Sequence, residues 1–361
     1  MAKGRRSHQP MNVLLVRLRL IGDVVFTTPL IRALRRHLPD ARLTYLVEPS
    51  AAPVVQGNPH LDDLVVAPKR RGLARLQDDL TIARQLRRAN FDVAIDLHGG
   101  PRGAWFTWAS GAPMRIGYAI AGRRWMYTHA VPRAADLAPR HSVLNQFDLL
   151  APLGIDRCEP ARDPVEMSDD TAAGDRVRQR LDAAGIGPGH QLAVIHVSAG
   201  NAFRRWPAES FAALAAALVS RDANRRVILL SGPSDRAAAE AVAQAARDRL
   251  GSTGPAIVSA EFDLAETRAL TARAAVYIGG DSGPLHIAAT TTTPIVQLLG
   301  PTLPERSMPW RSPMYFAEAV DVGPLPCRPC HQRRCEPGDF RCLTGIAPER
   351  VVAAAERAMQ R

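Results

Sequence analysis

Ala274-Ala275-Val276-Tyr277-Ile278-Gly279-Gly280-Asp281-Ser282-Gly283-Pro284-Leu285-His286-Ile287-Ala288-Ala289 is the stretch whose reading decides the fold. A short apolar, β-branched run stops at two glycines, and a polar turn leads into a helix-compatible segment. The reading is strand, tight turn, helix. Asp281 or Ser282 can cap the helix, Pro284 suits its first turn, and the glycines let a ligand approach outward-pointing amides at the positive end of the helix dipole. Such a turn seats a phosphate. An ordinary capped βα turn has the same pattern, and these residues alone leave both readings open.

The same grammar recurs on either side. Asn12 to Arg17 reads as a strand, Leu18 to Gly22 as a turn, and Asp23 to Leu38 as a helix interrupted by Pro29. Strands at Leu43–Val47, Leu64–Val66 and Phe91–Leu97 alternate with helices near Ser50–Gln56 and Leu73–Ala89. Beyond a helix at His141–Leu153 and another near Asp175–Ala184, strands are expected at Leu192–Val197, Arg226–Leu230, Ala256–Val258, Ala274–Ile278 and Ile295–Leu299. Helices fall between them near Ala208–Ser220, Ser234–Arg249, Leu264–Ala272 and Pro284–Ala289. The alternation predicts an α/β protein with parallel sheets covered by helices. At 361 residues the chain accommodates two such domains, expected at 11–160 and 191–345. A connection is expected at 161–190, with a final helix in 346–361 packing back across it. Two halves facing one another would line a cleft with the carboxyl ends of their strands.

Lysine and arginine number 46 against 35 acids, a formal charge of +11 that favours anionic partners. The basic N-terminus meets Arg17 and Arg19 before any signal-peptide core forms, and the longest apolar run, Phe211 to Val219, is too short to cross a bilayer. A cytoplasmic location with at most peripheral membrane contact is expected, which disfavours structural disulfides. Between Pro101 and Arg140, Arg102, Arg115, Arg123, Arg124, Arg133 and Arg140 share the stretch with five Trp or Tyr residues and one acid, Asp136. This is either a surface built to meet an anion or a solvated basic face over core aromatics. The charge is spread over most of the length and no recognised reader module is present, so nucleic acid is not the expected partner. No G-x-G-x-x-G follows the first strand and no G-x-x-x-x-G-K-[ST] occurs, which disfavours nicotinamide dehydrogenases and P-loop NTPases.

Five segments, in order, resemble glycosyltransferase family 9, the ADP-heptose:lipopolysaccharide heptosyltransferases. They are Val13-Leu14-Leu15-Val16-Arg17 with Ile21-Gly22-Asp23-Val24-Val25 and Thr28-Pro29-Leu30; Phe91-Asp92-Val93-Ala94-Ile95-Asp96-Leu97-His98-Gly99; Arg204-Arg205-Trp206-Pro207 with Phe211; Gly280 to Ala288; and the cysteine-bearing tail. The resemblance implies a GT-B architecture of two Rossmann-like domains, the first holding mainly the acceptor and the second the nucleotide-sugar. It also implies inverting transfer of heptose from ADP-heptose to a lipid A-linked core oligosaccharide at the cytoplasmic face of the inner membrane, with no catalytic metal. Transfer of another nucleotide-activated sugar, or epimerisation of one, fits the same fold.

The family's catalytic base maps onto Asp23. An inverting displacement needs one carboxylate to take the proton of the acceptor hydroxyl as its oxygen attacks the anomeric carbon. On the acceptor side stand Gly22, Arg19, Arg123 and Arg124. The departing diphosphate needs fixed positive potential. Arg204 occupies the position where the family commonly has lysine, with Arg205 as an alternative. Asp281, Ser282 and Gly283 match the family's Asp-Thr-Gly turn. The amides of Ser282 and Gly283 suit the diphosphate, whereas Asp281 suits sugar hydroxyls or orientation of the turn. His286 reaches a phosphate or simply packs, and Ser198 belongs to a second phosphate-proximal loop. Cys327, Cys330, Cys335 and Cys342, spaced C-x2-C-x4-C-x6-C, are either ligands of a structural zinc or free thiols.

Overall fold

The structure, a computed structural model, describes residues 10–133, 140–197, 201–251, 256–330 and 332–361. The chain forms two compact units, Met1–Asp163 and Pro164–Arg361, divided inside the segment expected to connect the domains.

The first unit is built on one parallel sheet. Its strands are β1 (Asn12–Val16), β2 (Arg42–Val47), β3 (Asp63–Val66), β4 (Val93–Asp96), β5 (Met114–Tyr118) and β6 (His129–Val131), in the order β3-β2-β1-β4-β5-β6. The central strand β1 is apolar without alternation, because Val13, Leu14, Leu15 and Val16 are all fully buried between covered faces. On one face Leu14 and Val16 meet Leu46, Leu86, Phe91 and Phe106. The expected helix from Asp23 is two: Ile21–Val25 and Thr28–His37, the second with Pro29 in its first turn. Proline lacks the N–H that a continuous helix needs, so it opens the second helix instead of interrupting one.

The second unit repeats the plan with β7 (Gln191–His196), β8 (Arg225–Ser231), β9 (Ile257–Glu261), β10 (Val276–Gly280), β11 (Ile295–Leu298) and β12 (Ala317–Val320). Their order is β12-β11-β10-β7-β8-β9, and every pairing is parallel. Both sheets thus have the doubly wound order in which the chain reverses its direction of travel beside the first strand. Two of the glycines of the 274–289 stretch belong to the strand itself, since β10 runs through Gly279 and Gly280, and Gly283 opens the helix that follows. The final helix, Pro348–Met359, packs on β10, β11, β12 and the helix Ala208–Arg221, placing Val351, Val352 and Ala355 in the second core. Within 161–190, the helix Thr171–Ala183 packs on the helix Leu264–Thr271 of the same unit, with Arg176 and Arg180 both reaching Glu266.

Candidate functional site

In doubly wound sheets ligands bind outside the carboxyl ends of the strands, where the strand order reverses. In the first unit that point lies between β1 and β4, whose Val16 and Asp96 are register partners. Arg17 follows β1 directly and is buried. Its Nη1 donates to the Leu97 carbonyl at 2.7 Å and its Nη2 pairs with Asp23 Oδ2 at 2.5 Å. One guanidinium therefore ties the end of β4 to the short helix after β1. The N-cap of that helix is Leu20, with no side-chain cap, and Asp23 sits in its first turn. Asp23 is thus not a capping residue, and its side chain keeps 31% of its exposure.

Beneath it Asp96 is fully buried and accepts from the His98 and Gly99 amides, each at 2.9 Å, and from the Tyr127 hydroxyl at 2.7 Å. Burial pushes the Asp96 carboxyl up against the pull of these donors. Burial, aided by the charge of Arg17, pulls His98 down to about 4, so this imidazole is neutral near pH 7. Gly22 lies beside Asp23, and exposed Arg19 is close enough to act on His98 electrostatically. Arg123 and Arg124 stand on the β5–β6 connection, and no hydrogen bond or ion pair among the described residues joins them to Asp23.

Other arginines of the Pro101–Arg140 stretch have structural partners. Arg102 binds Glu48, Asp79 and the Pro68 carbonyl, and Arg115 binds the carbonyls of Ala112 and Met126. Arg140 pairs with Asp148, and Asp136 lies outside the described residues.

The second unit places its glycine turn at the corresponding reversal, between β7 and β10, where Gly279 is the register partner of His196. Ser282 is the N-cap of the helix Gly283–Ala288, with Pro284 in the first turn. Gly280 is needed for close approach: a Cβ there would lie 3.0 Å from the Arg204 carbonyl. Asp281 is buried, and Arg204 Nη1 reaches its Oδ2 at 2.9 Å. Thr302 donates to the same oxygen at 3.1 Å, and His286 Nε2 is 3.3 Å from Oδ1. Burial alone would raise the Asp281 carboxyl, but His286, Arg204 and Thr302 together hold it below the usual carboxylate range. Asp281 is thus tied to Arg204, Thr302 and the buried His286.

Arg204 is further held by Gln332, which accepts from its Nε at 2.8 Å and from Asn201 Nδ2 at 3.0 Å. Arg205 is separate, 3.7 Å from Asp235. Trp206 anchors the loop by donating to the Ile346 carbonyl. Ser198, with Ala199 and Gly200, lies outside the described residues.

Neither the four tail cysteines nor Cys158 is joined in a disulfide. With Phe203 and Phe340 the tail cysteines line a cavity of about 310 Å³, and two of them already accept hydrogen bonds: Cys330 Sγ from the Gln332 amide and Cys335 Sγ from that of Phe340. Among the described residues no group of three or more His, Cys, Asp or Glu is arranged to hold a metal ion, and His331 lies outside those residues. No metal is assigned to the thiols.

Three site residues escape a reading for acids, bases and phosphate loops: Arg17, Asp96 and His196. Each ends or immediately follows a strand at a reversal point, which is the signal that finds them. His196 is pulled down to about 4 by burial, and its Nδ1 lies 3.4 Å from Ser282 Oγ.

A protein-family comparison matches residues 80–339 to glycosyltransferase family 9 (heptosyltransferase). Lipopolysaccharide heptosyltransferase 3 of Escherichia coli is 29% identical over 350 residues, covering 94% of this chain and 97% of that protein. Among solved structures, a family 9 glycosyl transferase from Veillonella parvula superposes with a TM-score of 0.81 at 22% identity, over 97% of both chains. The E. coli ADP-heptose lps heptosyltransferase II gives 0.77 at 18% identity, over 97% of this chain and 99% of that one. These likenesses share the double Rossmann architecture, and the chain belongs to glycosyltransferase family 9, the heptosyltransferase family.

Proposed function

We propose that this glycosyltransferase moves heptose from ADP-heptose to the inner core of lipopolysaccharide by an inverting displacement that uses no metal. The observation carrying the assignment of roles is the contrast between two carboxylates. Asp281 is buried with its oxygens engaged, whereas Asp23 is half-buried and held by a single arginine. A base must meet substrate, so Asp23 takes the acceptor proton. As the acceptor oxygen bonds to the anomeric carbon, the bond from that carbon to the diphosphate breaks, the proton passes to Asp23, and ADP leaves. Arg204 and the amides of Ser282 and Gly283 meet the charge that develops on the diphosphate. Arg19 and Gly22 lie on the acceptor side. The acceptor is lipid-linked, so the enzyme works at a membrane surface; no helix among the described residues is long and apolar enough to cross a membrane.

Asp23→Asn should abolish transfer while leaving ADP binding intact, since the base and the donor seat belong to different units. A thermal-shift panel of ADP, UDP and GDP checks the donor: a ligand at 100 times its dissociation constant adds about 2.7 kcal/mol. Stabilisation by UDP or GDP alone would reassign the nucleotide, and near-normal turnover in Asp23→Asn would remove the base.

A further inference from the structure

Among the described residues, five of the eight large apolar side chains that stand exposed gather on one side of the first unit: Leu73, Leu76, Leu80, Trp108 and Trp125. Scattered exposed apolar residues are ordinary, but such a concentration marks an interaction surface. Leu73, Leu76 and Leu80 lie on the helix Gly72–Arg88 at spacings of three and four, so they share one stripe. Ile82 and Leu86 of the same helix form its core stripe, roughly 120° away at 100° per residue. The exposed stripe is therefore a second apolar face.

It continues onto neighbouring elements. Leu80 and Trp108 line a cavity of about 520 Å³ together with Arg84, Arg87 and Arg115. Trp108 packs edge-on against Trp125 at 6.0 Å.

The charges around this face have one sign. Lys69, Arg70 and Arg71 stand exposed before the helix, and Arg84, Arg87 and Arg88 stand exposed at its end. The helix has two acids, and both are neutralised locally: Asp78 by Arg70, and buried Asp79 by Arg102 and Arg75. Arg84, Arg87 and Arg88 form no ion pair among the described residues. Leucines and amphipathic indoles ringed by unpaired guanidinium groups match the interfacial zone of a bilayer, where rings sit at headgroup depth and arginines meet lipid phosphates.

We propose that this face docks the enzyme onto an anionic phospholipid bilayer, with Leu73, Leu76, Leu80, Trp108 and Trp125 entering the interface and Arg84 and Arg87 binding headgroup phosphates. The proposal deepens the membrane-surface part of the function above and rests on it only for the whereabouts of the acceptor. None of these residues belongs to the catalytic or donor machinery.

The test is flotation of the full chain with vesicles of phosphatidylglycerol and phosphatidylcholine in equal parts, against phosphatidylcholine alone. Wild type should float with the anionic vesicles only, less so as salt rises, and brominated lipid should quench its tryptophan emission. Leu76→Ser/Leu80→Ser and Arg84→Glu/Arg87→Glu should each weaken binding at least about tenfold, with ADP stabilisation unchanged. The milder Arg84→Gln/Arg87→Gln covers the case in which charge reversal impairs folding. Wild type that ignores anionic vesicles, or variants that float as wild type does, would overturn the proposal. So would variants that lose only self-association in sedimentation, since the occupant would then be a second copy of the chain. Loss of ADP stabilisation in wild type, with vesicle binding retained, would remove the donor assignment and leave the docking surface standing.

Discussion

Arg17 decides how the proposed base is presented. The backbone alone would leave Asp23 a solvated carboxylate on a short helix, free to rotate. The guanidinium fixes it because one nitrogen is spent on the Leu97 carbonyl and another on the carboxylate, at 2.7 and 2.5 Å. Lysine carries the same charge but has a single ammonium that cannot reproduce this planar, two-ended grip. Arg17→Lys should therefore lower kcat about 10²-fold through misplacement of the base. The donor KM should be unchanged, because the proposed donor seat is in the second unit. Steady-state kinetics with varied donor checks this, and a variant whose donor KM rises while kcat holds would contradict it. Arg204 shows the reverse arrangement, an arginine whose carboxylate partner is buried; its remaining exposure, 30% of the side chain, is what leaves it able to meet a phosphate.

Among the elements, the cysteine-bearing tail acquires a role that its thiols do not explain. It braces the loop of Arg204. Gln332 accepts from both Arg204 and Asn201, and Phe340 packs edge-on against Phe203 at 5.2 Å. Deleting the Gln332 carbonyl leaves the Arg204 Nε without that acceptor and releases one side of the loop. Gln332→Ala should thus weaken ADP binding several-fold, about 1 kcal/mol, while the melting temperature of the free protein barely moves. Isothermal titration of the variant with ADP measures it; unchanged affinity would mean that the tail only packs. The Pro101–Arg140 stretch also resolves into elements of mixed purpose: Arg102 and Arg115 hold the first unit together, while Trp108 and Trp125 remain at the surface.

At the scale of the whole molecule, burial of histidines at both strand-reversal points ties folding to pH. His98 and His196 are pulled from 6.5 to about 4, in each case chiefly by burial. Between those values the unfolded chain binds protons that the folded chain refuses, so stability rises as pH rises from about 4 to 6.5 and is flat above for these groups. His98 is only half-buried, and solvent screening reduces its share. Fully buried His196 contributes up to roughly 3 kcal/mol over the window. His196→Asn removes its titration, so its melting temperature should fall less steeply than that of wild type as pH is lowered from 6.5 to 4. Parallel curves for the two proteins would show that His196 accepts a proton without cost.

Local chemistry was sufficient for much of this protein. Runs such as Val13-Leu14-Leu15-Val16 and Val276-Tyr277-Ile278 identify buried parallel strands, and the glycine-bearing segments after them mark where strand gives way to helix, although Gly22 and Asp23 already belong to the helix Ile21–Val25 and Gly280 still belongs to β10. Asp23 was singled out by its place in a family motif, and its role as base is the proposal made above. The strands β5, β6 and β12 were not legible, because Arg115, Gly117, His129 and Glu318 break the apolar runs by which a buried strand is read. Nor could the sequence tell a presented carboxylate from an engaged one. The contacts that distinguish Asp23 from Asp281 join Arg17 to Leu97, Arg204 to Asp281 and Gln332 to Arg204 across separations of 80, 77 and 128 residues. Only the packing of parallel strands, whose crossovers bring distant strand ends to one edge of a sheet, places those groups within hydrogen-bond reach.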